Sequence, residues 1–259
     1  MPELPEVESY RRLALSVRGR KVTSIATPDT WFLKGGTTGS VLRRALVGHR
    51  VVEARRIGKI VLLDIEDGDV LGLRFGMTGT LLVDGQAGVD RLIYSSQQFQ
   101  RKWDRFTVRF EQGSLVVHDP RRLGGVSLNP DLSRLGPDAV SITAAQLSAA
   151  LRGSSAPLKA RLLDQAKVAG IGNLMGDEIL WRAALSPLRP AGSLSAIEVR
   201  RLHRNLHRTL TQLLERGGSH LGDLMEERHR DGRCPKDGTL LSRATVGGRT
   251  TYWCPLHQV

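Results

Sequence analysis

The sequence predicts an α+β fold, in which an N-terminal β-sandwich flanked by helices precedes a helical region that ends in a β-hairpin. From Lys21 to about Leu128 the chain consists of short β-rich segments separated by Gly and Asp pairs. Beyond Thr143 the apolar residues recur with a helical period. Many short strands with turn signals are typical of a sandwich, and 259 residues suffice for two modest domains.

The N-terminal half begins with a helix, expected from Pro5 to Val17. Pro5 suits a first helical turn, Gly19 can end the helix, and the apolar residues between them share one face. Residues 86–100 are polar and weakly patterned, which predicts a surface loop. The expected strands are Val51–Arg56, Ile60–Ile65, Val70–Phe75, Thr80–Val83, Phe106–Phe110 and Leu115–His118.

The C-terminal half is predicted to be helical. Thr143 is a suitable N-cap for a helix over Ala144–Leu151, and Pro157 can open another. A long apolar stripe from Val199 to Leu213, closed by Gly217 and Gly218, predicts a third helix. We therefore expect a first domain over 1–128, a linker over 129–143, a helical domain over 144–225 and a hairpin over 226–259.

The charge balance indicates an anionic partner. Lysine and arginine outnumber the acidic residues by 38 to 26, so the net charge is +12 and the isoelectric point is about 10.6. Nucleic acid is the most economical polyanion for such a protein, with ribosomal or membrane-surface binding as alternatives. No apolar run reaches the ~20 residues of a membrane span, and no signal peptide is evident, so we expect a cytoplasmic protein.

Pro2 is a candidate nucleophile if Met1 is removed. A terminal amine has an ordinary pKa of about 7.7 to 8.0, so part of it is neutral near pH 7 and can attack an aldehyde-like carbon. Glu3 and Glu6 are near enough in sequence for acid–base work. The alternatives are a frayed terminus for Pro2 and, for the glutamates, solvated positions stabilised by the helix dipole.

Two features of the C-terminal half suit phosphate contact. The turn from Gly170 to Asn173 lets backbone N–H groups approach a phosphate, and Asn173 can cap the next helix and donate to that phosphate. A plain helix–helix turn explains the same residues. Arg243 and Arg249 project from the expected hairpin, either toward phosphates or simply into solvent.

The two cysteines of the chain predict a metal site in the hairpin region. Cys234 with Asp237, and Cys254 with His257, are pairs of ligand types at the spacings of a zinc finger. We expect one structural zinc ion per chain, with His229 as a substitute for Asp237. The alternative is a metal-free hairpin with two buried thiols.

Seven short motifs, in this order, resemble the formamidopyrimidine-DNA glycosylase and endonuclease VIII family of base-excision repair enzymes. Together they run over nearly the whole chain, which makes them far more specific than any one alone. They are Met1-Pro2-Glu3-Leu4-Pro5-Glu6-Val7-Glu8, Gly58-Lys59, Phe75-Gly76-Met77-Thr78-Gly79, Asp119-Pro120-Arg121-Arg122-Leu123-Gly124, Leu135-Gly136-Pro137-Asp138, Gly170-Ile171-Gly172-Asn173 and Tyr252-Trp253-Cys254-Pro255.

The resemblance implies a bifunctional DNA glycosylase and abasic-site lyase that works as a monomer on damaged double-stranded DNA, in the nucleoid. It implies a helix-two-turn-helix domain and a zinc finger after the β-sandwich. Pro2 would attack C1′ of the damaged nucleotide, and β- and δ-elimination would follow. Glu3 would protonate the opening sugar ring, Glu6 would assist, and Lys59 would bind the adjacent phosphate.

The same resemblance assigns residues to the DNA itself. Asn173 and Arg249 would grip phosphates, with Lys159 a weaker candidate, and Arg74 stands where a histidine is common. A flipped nucleotide leaves a gap in the base stack that side chains must fill. The residues at the gap-filling positions are Met77, Arg121 and Leu123, the last in place of a common phenylalanine.

The sequence leaves the lesion open. The short connection between Gly218 and Cys234 resembles the endonuclease VIII branch, which favours oxidised pyrimidines and abasic sites, whereas the N-terminal motif resembles the other branch. A non-catalytic binder of damaged DNA is the alternative function, although Pro2, Glu3 and Lys59 are intact. A basic zinc-ribbon module for RNA is a third hypothesis.

Overall fold

The computed structural model describes residues 2–89, 92 and 100–259, and the chain divides into two compact units, 1–132 and 133–259. The first unit contains two helices and nine strands among its described residues. In chain order they are α1 (Leu4–Ala14), β1 (Val22–Ala26), α2 (Gly39–Leu46), β2 (Val51–Ile57), β3 (Ile60–Ile65), β4 (Val70–Arg74), β5 (Thr80–Val83), β6 (Gln86–Ala87), β7 (Asp104–Phe110), β8 (Ser114–His118) and β9 (Gly125–Leu128).

Two antiparallel sheets form the expected β-sandwich. One has the strand order β1-β7-β8-β5-β6 and the other the order β2-β3-β4-β9. Their inward side chains, such as Val61, Leu81 and Phe106, share one hydrophobic core with α1 and α2. Apolar residues alternate along the strands because successive side chains point to opposite faces. The six strands expected from the sequence are all present, within two residues at either end.

Helix α1 buries the face that the sequence predicted. Val7, Tyr10, Ala14 and Val17 have no solvent exposure, and a short 3₁₀ turn over Leu15–Val17 continues the helix. The side chains lie three or four residues apart, which puts them on one face of a helix. This packing attaches the N-terminal segment to the sandwich.

Helix α2 corrects the expectation of strands throughout 21–128. Thr38 caps it, accepting a hydrogen bond from the Val41 N–H, and Leu42 and Leu46 are buried one turn apart. Eight residues make only two turns, which is too short for a periodic signal to stand out. Of the predicted surface loop over 86–100, Gln86–Ala87 form strand β6, while residues 90, 91 and 93–99 lie outside the described part of the chain.

The second unit is helical and ends in a β-hairpin. Its elements are α3 (Ala144–Leu151), α4 (Leu158–Leu163), α5 (Asn173–Ala183), α6 (Ala196–Arg216), β10 (Ser242–Val246) and β11 (Arg249–Trp253). Thr143 caps α3 as predicted, through a capping box with Gln146, and Gly217 ends α6 in the left-handed conformation. Within the described residues, no helix is both long and apolar enough to span a membrane.

The segment expected to link the domains is partly packed into the second unit. Ala139 and Ile142 are buried, and the Ala139 N–H donates to the Ala169 carbonyl at 2.9 Å. The Ile142 N–H donates to the Asp138 carbonyl at 2.8 Å and closes a turn before α3. Residues 138–142 therefore form an ordered turn, while the four-part domain division stays a prediction.

Candidate functional site

The candidate nucleophile stands directly before a helix that is capped by two carboxylates. Glu3 is the N-cap of α1, and its backbone N–H donates to the Glu6 Oε2 atom at 2.8 Å. The Glu3 side chain in turn accepts from the Glu6 N–H, which completes a capping box. Pro2, Glu3 and Glu6 are all buried. The structure therefore brings these three predicted residues together and rules out a frayed, solvated start.

A buried tyrosine connects α1 to the loop between β4 and β5. The Tyr10 hydroxyl donates to the Gly79 carbonyl at 3.1 Å, and the Tyr10 and Phe75 rings lie 4.5 Å apart. Burial raises the pKa of Tyr10 well above its ordinary value, and the Glu6 carboxylate adds to the effect. Tyr10 is therefore a neutral hydrogen-bond donor that fixes the position of α1 on the loop.

Lys59 lies in the two-residue turn between β2 and β3, where Ile57 pairs with Ile60. Gly58 takes a φ of 53° in this turn, and its carbonyl accepts from the Arg56 guanidinium at 2.8 Å. Arg56 also contacts Glu8 of α1, at 3.3 Å. The turn that carries Lys59 is thus tied to the helix that follows Pro2.

The three predicted gap-filling residues lie on two loops that touch through their backbones. Gly76 adopts a φ of 56°, and a Cβ atom there would lie 2.6 Å from the Gly124 nitrogen. Met77 follows on this loop, while Arg121 and the half-exposed Leu123 lie on the other. Only glycine allows such a close approach at this backbone conformation.

Asp119, which opens one of the seven motifs but was assigned no role from the sequence, organises both loops. Its wholly buried carboxylate accepts from the Thr78 hydroxyl at 2.6 Å, the Gly124 N–H at 2.8 Å and the Arg121 N–H at 3.1 Å. Arg122, with a φ of 57°, makes two bonds to Asp29 at 2.6 and 2.7 Å. An aspartate before proline at the end of an apolar strand was the available signal.

Arg74 ends strand β4 beside these loops and is exposed. Its carbonyl lies close to Gly124, as a Cβ atom on that glycine would clash with it. The surrounding protein lowers the pKa of Arg74 by desolvation, although a guanidinium keeps its charge at any physiological pH. The position is consistent with the predicted phosphate contact.

In the second unit, Asn173 is the first residue of α5, and Gly172 rather than Asn173 is the N-cap. The Asn173 Oδ1 atom is buried and accepts no hydrogen bond from the described residues. Arg249 begins β11 at the tip of the hairpin, where it is exposed, and Arg243 is exposed on β10. The start of α5 also carries partial positive charge from the helix dipole.

Lys159 cannot grip a phosphate as it was expected to do. Its side chain has no solvent exposure, and its Nζ atom lies 2.6 Å from Asp177 Oδ1. The same ammonium donates to the Thr251 hydroxyl at 2.8 Å and the Thr250 carbonyl at 3.2 Å. Lys159 is therefore an internal connection from α4 to α5 and the hairpin, and its assignment to DNA is corrected.

The four predicted metal ligands form one cluster. One donor atom from each of Cys234, Asp237, Cys254 and His257 lies within 4.8 Å of all the others. The His257 Nδ1 atom is 3.0 Å from Asp237 Oδ2 and 3.6 Å from Cys234 Sγ, and Cys254 Sγ is 3.3 Å from Asp237 Oδ2. A tetrahedral zinc ion places its ligand atoms about 3.3 to 3.8 Å apart. The three separations of 3.0 to 3.6 Å are close to that range, so the residues present suit a metal ion.

Surrounding groups orient these ligands. The His257 Nε2 atom lies 3.2 Å from the Trp181 carbonyl, which leaves Nδ1 directed at the cluster, and the Trp181 indole N–H donates to Cys234 Sγ at 3.3 Å. Hydrogen bonding by Thr239 lowers the pKa of Asp237, whereas burial raises the pKa of the Cys254 thiol. The predicted substitute His229 is exposed and outside the cluster.

The sequence matches family models in both units. Residues 1–126 match the formamidopyrimidine-DNA glycosylase N-terminal domain, and residues 135–224 match the formamidopyrimidine-DNA glycosylase H2TH domain. The chain is 36% identical to formamidopyrimidine-DNA glycosylases of Paracoccus denitrificans, with 100% of both chains covered, and of Thermus thermophilus, with 100% and 98% covered. The helix-two-turn-helix domain expected from the resemblance is thereby confirmed.

Solved structures show the same similarity. Fpg of Lactococcus lactis in complex with DNA that contains an abasic site has a TM-score of 0.84, with 25% identity and 99% of both chains covered. A variant of the Lactococcus lactis protein, in complex with DNA that contains Fapy-dG, also has a TM-score of 0.84, with 26% identity and 99% of both chains covered. Both of these neighbours hold damaged DNA.

Proposed function

Because the chain belongs to the formamidopyrimidine-DNA glycosylase family and is a DNA glycosylase that acts on damaged DNA, we propose that Pro2 carries the chemistry. The supporting observation is the position of Pro2 directly before a buried, doubly capped helix start. Removal of Met1 turns Pro2 into a secondary amine, and the capping box limits where that amine can lie. Positioning of this kind is a large part of covalent catalysis.

The reaction begins with attack of the Pro2 amine on C1′ of the damaged nucleotide. The bond from C1′ to the base breaks, the base leaves with the bonding electrons and takes up a proton, and the sugar ring opens. Glu3 supplies the proton that the ring oxygen needs, and an iminium joins Pro2 to C1′. Loss of a proton from C2′ expels the 3′ phosphate, a second elimination expels the 5′ phosphate, and hydrolysis frees the amine.

DNA binding divides between positioning and gap filling. We assign phosphate contacts to Lys59, Arg74, Asn173 and Arg249, which makes the affinity fall steeply with salt. Met77, Arg121 and Leu123 fill the stack that the flipped nucleotide leaves. The backbones of the two loops that carry these residues are in contact, so the loops present their side chains next to each other. This proximity supports the assignment.

For the lesion, we propose formamidopyrimidines and abasic sites as the first substrates. The relatives carry the name formamidopyrimidine-DNA glycosylase, whereas the sequence alone slightly favoured oxidised pyrimidines. The alignment with the Paracoccus protein runs over 287 positions and covers all 259 residues of this chain, so this chain has gaps in that alignment. A short connection before Cys234 leaves little room for a loop over the base, which favours a broad substrate range.

We propose zinc as the ion of the Cys234, Asp237, Cys254 and His257 cluster. Thiolate, imidazole and carboxylate ligands in a tetrahedral arrangement suit zinc, and four protein ligands leave no position for substrate. The ion would connect Cys234 and Asp237, which precede the hairpin, with Cys254 and His257, which follow it. Its contribution is therefore structural, and it supports the strand that begins at Arg249.

Borohydride trapping on a duplex with one abasic site tests the proposed chemistry. Wild-type protein is expected to form a covalent adduct, and Pro2→Gly combined with Glu3→Gln should lose nearly all of it. Arg12→Gln, on the same helix but exposed and outside the capping box, is the matched control and should trap normally. Extension of the N-terminus beyond Pro2 should abolish the adduct and leave DNA binding in place.

The competing function, a binder of damaged DNA without chemistry, gives a different result in the same experiment. Wild-type protein would then bind the abasic duplex, with salt-dependent affinity, yet form no adduct. Undiminished trapping by the protein extended beyond Pro2, which has no free amine at that residue, would instead move the nucleophile to another amine. A panel of duplexes with formamidopyrimidine, 8-oxoguanine, thymine glycol and dihydrouracil then ranks the lesions.

A further inference from the structure

Two histidines on α6 meet a backbone carbonyl from the turn at 138–142. His203 and His207 are one helical turn apart, and their Nε2 atoms are separated by 3.0 Å. The Ile142 carbonyl oxygen lies 2.9 Å from the first Nε2 and 3.0 Å from the second. Three donor atoms thus form a nearly equilateral triangle, and both rings are only half-buried.

Hydrogen bonding alone satisfies this arrangement poorly. If both Nε2 atoms carry protons and donate to the carbonyl, two N–H groups lie side by side at 3.0 Å. If only one does, the other imidazole presents a lone pair to the same oxygen or shares the single proton. A cation removes the conflict because it accepts lone pairs from all three atoms at once.

The triangle has the dimensions of one face of a metal coordination shell. Metal–nitrogen bonds of about 2.0 to 2.1 Å to two atoms 3.0 Å apart enclose an angle near 90°. Two histidines at i and i+4 on one helix face are a known arrangement for binding a metal. Imidazole with a carbonyl oxygen suits Zn²⁺, Ni²⁺ and Cu²⁺, and water can complete the shell.

We propose that His203, His207 and the Ile142 carbonyl form a second metal site, separate from the cysteine cluster and able to bind Ni²⁺, Cu²⁺ or Zn²⁺. The ion would clamp α6 to the ordered turn that precedes α3. Arg204 and Arg208, each exposed and next to one of the histidines in sequence, weaken the attraction for cations. The site is therefore expected to be weaker than the four-ligand cluster and to exchange its ion readily.

Calorimetric titration of Ni²⁺ into the full chain, previously saturated with one equivalent of zinc, tests the site. We expect one Ni²⁺ per chain to bind without release of zinc. His203→Gln and His207→Gln each keep a hydrogen-bond donor near the carbonyl, and each should weaken Ni²⁺ binding by about tenfold or more because chelation is lost. His49→Gln removes a histidine that pairs with Asp67 in the first unit, and this variant should bind Ni²⁺ as the wild type does.

Thermal unfolding of the same four proteins provides a second readout. Ni²⁺ should raise the unfolding midpoint of the wild type and of His49→Gln, and should raise it less in the two α6 variants. Unfolding midpoints without Ni²⁺ establish that all variants fold. The proposal is overturned if Ni²⁺ only displaces zinc, or if both α6 variants bind Ni²⁺ with wild-type affinity.

Discussion

Lys159 and Asp177 form an ion pair of 2.6 Å in which neither side chain has any solvent exposure. Asp177 also accepts from the Arg228 guanidinium at 2.7 Å, and Lys159 donates to Thr251 of the hairpin. Two buried charges cost several kcal/mol each to desolvate and persist only in a network of this kind. The network connects the helix that begins at Asn173 with the strand that begins at Arg249.

Asp177→Asn is expected to destabilise the second unit by about 3 to 5 kcal/mol, because Lys159 and Arg228 would keep buried charges without a carboxylate. Urea unfolding followed by tryptophan fluorescence measures the change. Asp223→Asn is the matched control, since Asp223 also bridges two arginines but is 45% exposed, and it should cost about 1 kcal/mol or less. Equal effects of the two substitutions would contradict this account of the network.

Gly76→Ala is expected to impair activity on duplex lesions by displacing the loop of Met77 from that of Leu123. The added Cβ would lie 2.6 Å from the Gly124 nitrogen, and backbone cannot yield as a side chain can. Cleavage of a duplex with a lesion should fall more than cleavage of a single-stranded abasic oligonucleotide, which has no stack to fill.

Gly85→Ala separates the steric effect from backbone strain. Gly85 has a φ of 82° and nothing within 4 Å of its Cβ position, so it shares the strain of Gly76 without the clash. The ratio of duplex to single-stranded cleavage should match the wild type in this variant. A similar fall of that ratio in both glycine variants would show that the loop contact is unimportant.

Low pH should lower the free energy of unfolding of the second unit, because Glu198 becomes protonated. A hydrogen bond from Arg189, followed by one from the Ser195 backbone, holds the pKa of Glu198 at about 2, below its ordinary 4.5. Since the folded pKa is the lower one, the carboxylate stabilises the fold above pH 4.5 and loses this contribution as the pH falls toward 2. Glu198→Gln should therefore be less stable than the wild type at pH 7 and approach it near pH 2.

The low pKa of Glu198 depends on its ion pair with Arg189. Arg189→Met should therefore reduce the change in the free energy of unfolding over the same range of pH. Urea unfolding at several pH values between 2 and 7 provides the comparison. A wild-type profile with no slope between pH 4.5 and pH 2 beyond that of Glu198→Gln would contradict the assignment.

Chelation should destabilise the hairpin region, and Cys254→Ala should reproduce the effect without chelator. Loss of a structural metal removes a cross-link around which the chain folds. Metal analysis should find about one zinc per chain in the wild type. His229→Ala should retain its zinc, because His229 is outside the cluster. Loss of zinc from this variant would show that His229 is a ligand after all.

The sequence correctly predicted those features that depend on residues close together in the chain. The buried face of α1 and the cap at Thr143 depend on residues within four positions of one another, so their spacing is visible in the chain. Helix α2 escaped notice because two turns give too few periodic positions. The excess of lysine and arginine over acidic residues likewise predicted a polyanionic partner.

The long-range relationships could not be predicted from spacing. Lys159 contacts Thr251, distant in sequence, and nothing around Lys159 marks it as buried rather than exposed. Asp119 acts through hydrogen bonds to Thr78 and Gly124, which belong to separate loops. Partners of this kind are brought together only by the packing of several elements, so their roles emerge from the structure.

The close contact of Gly76 with Leu123 and Gly124 bears on how fast a lesion can be found. Two separate loops would each lose conformational entropy on entering the base stack, at a cost of about 1 to 2 kcal/mol for every residue that becomes ordered. Joined backbones are already ordered when the protein folds, so in the proposed gap-filling role they would enter the stack as a single rigid wedge. On that proposal, interrogation of each base pair would be brief, because little has to be rearranged before the protein moves on.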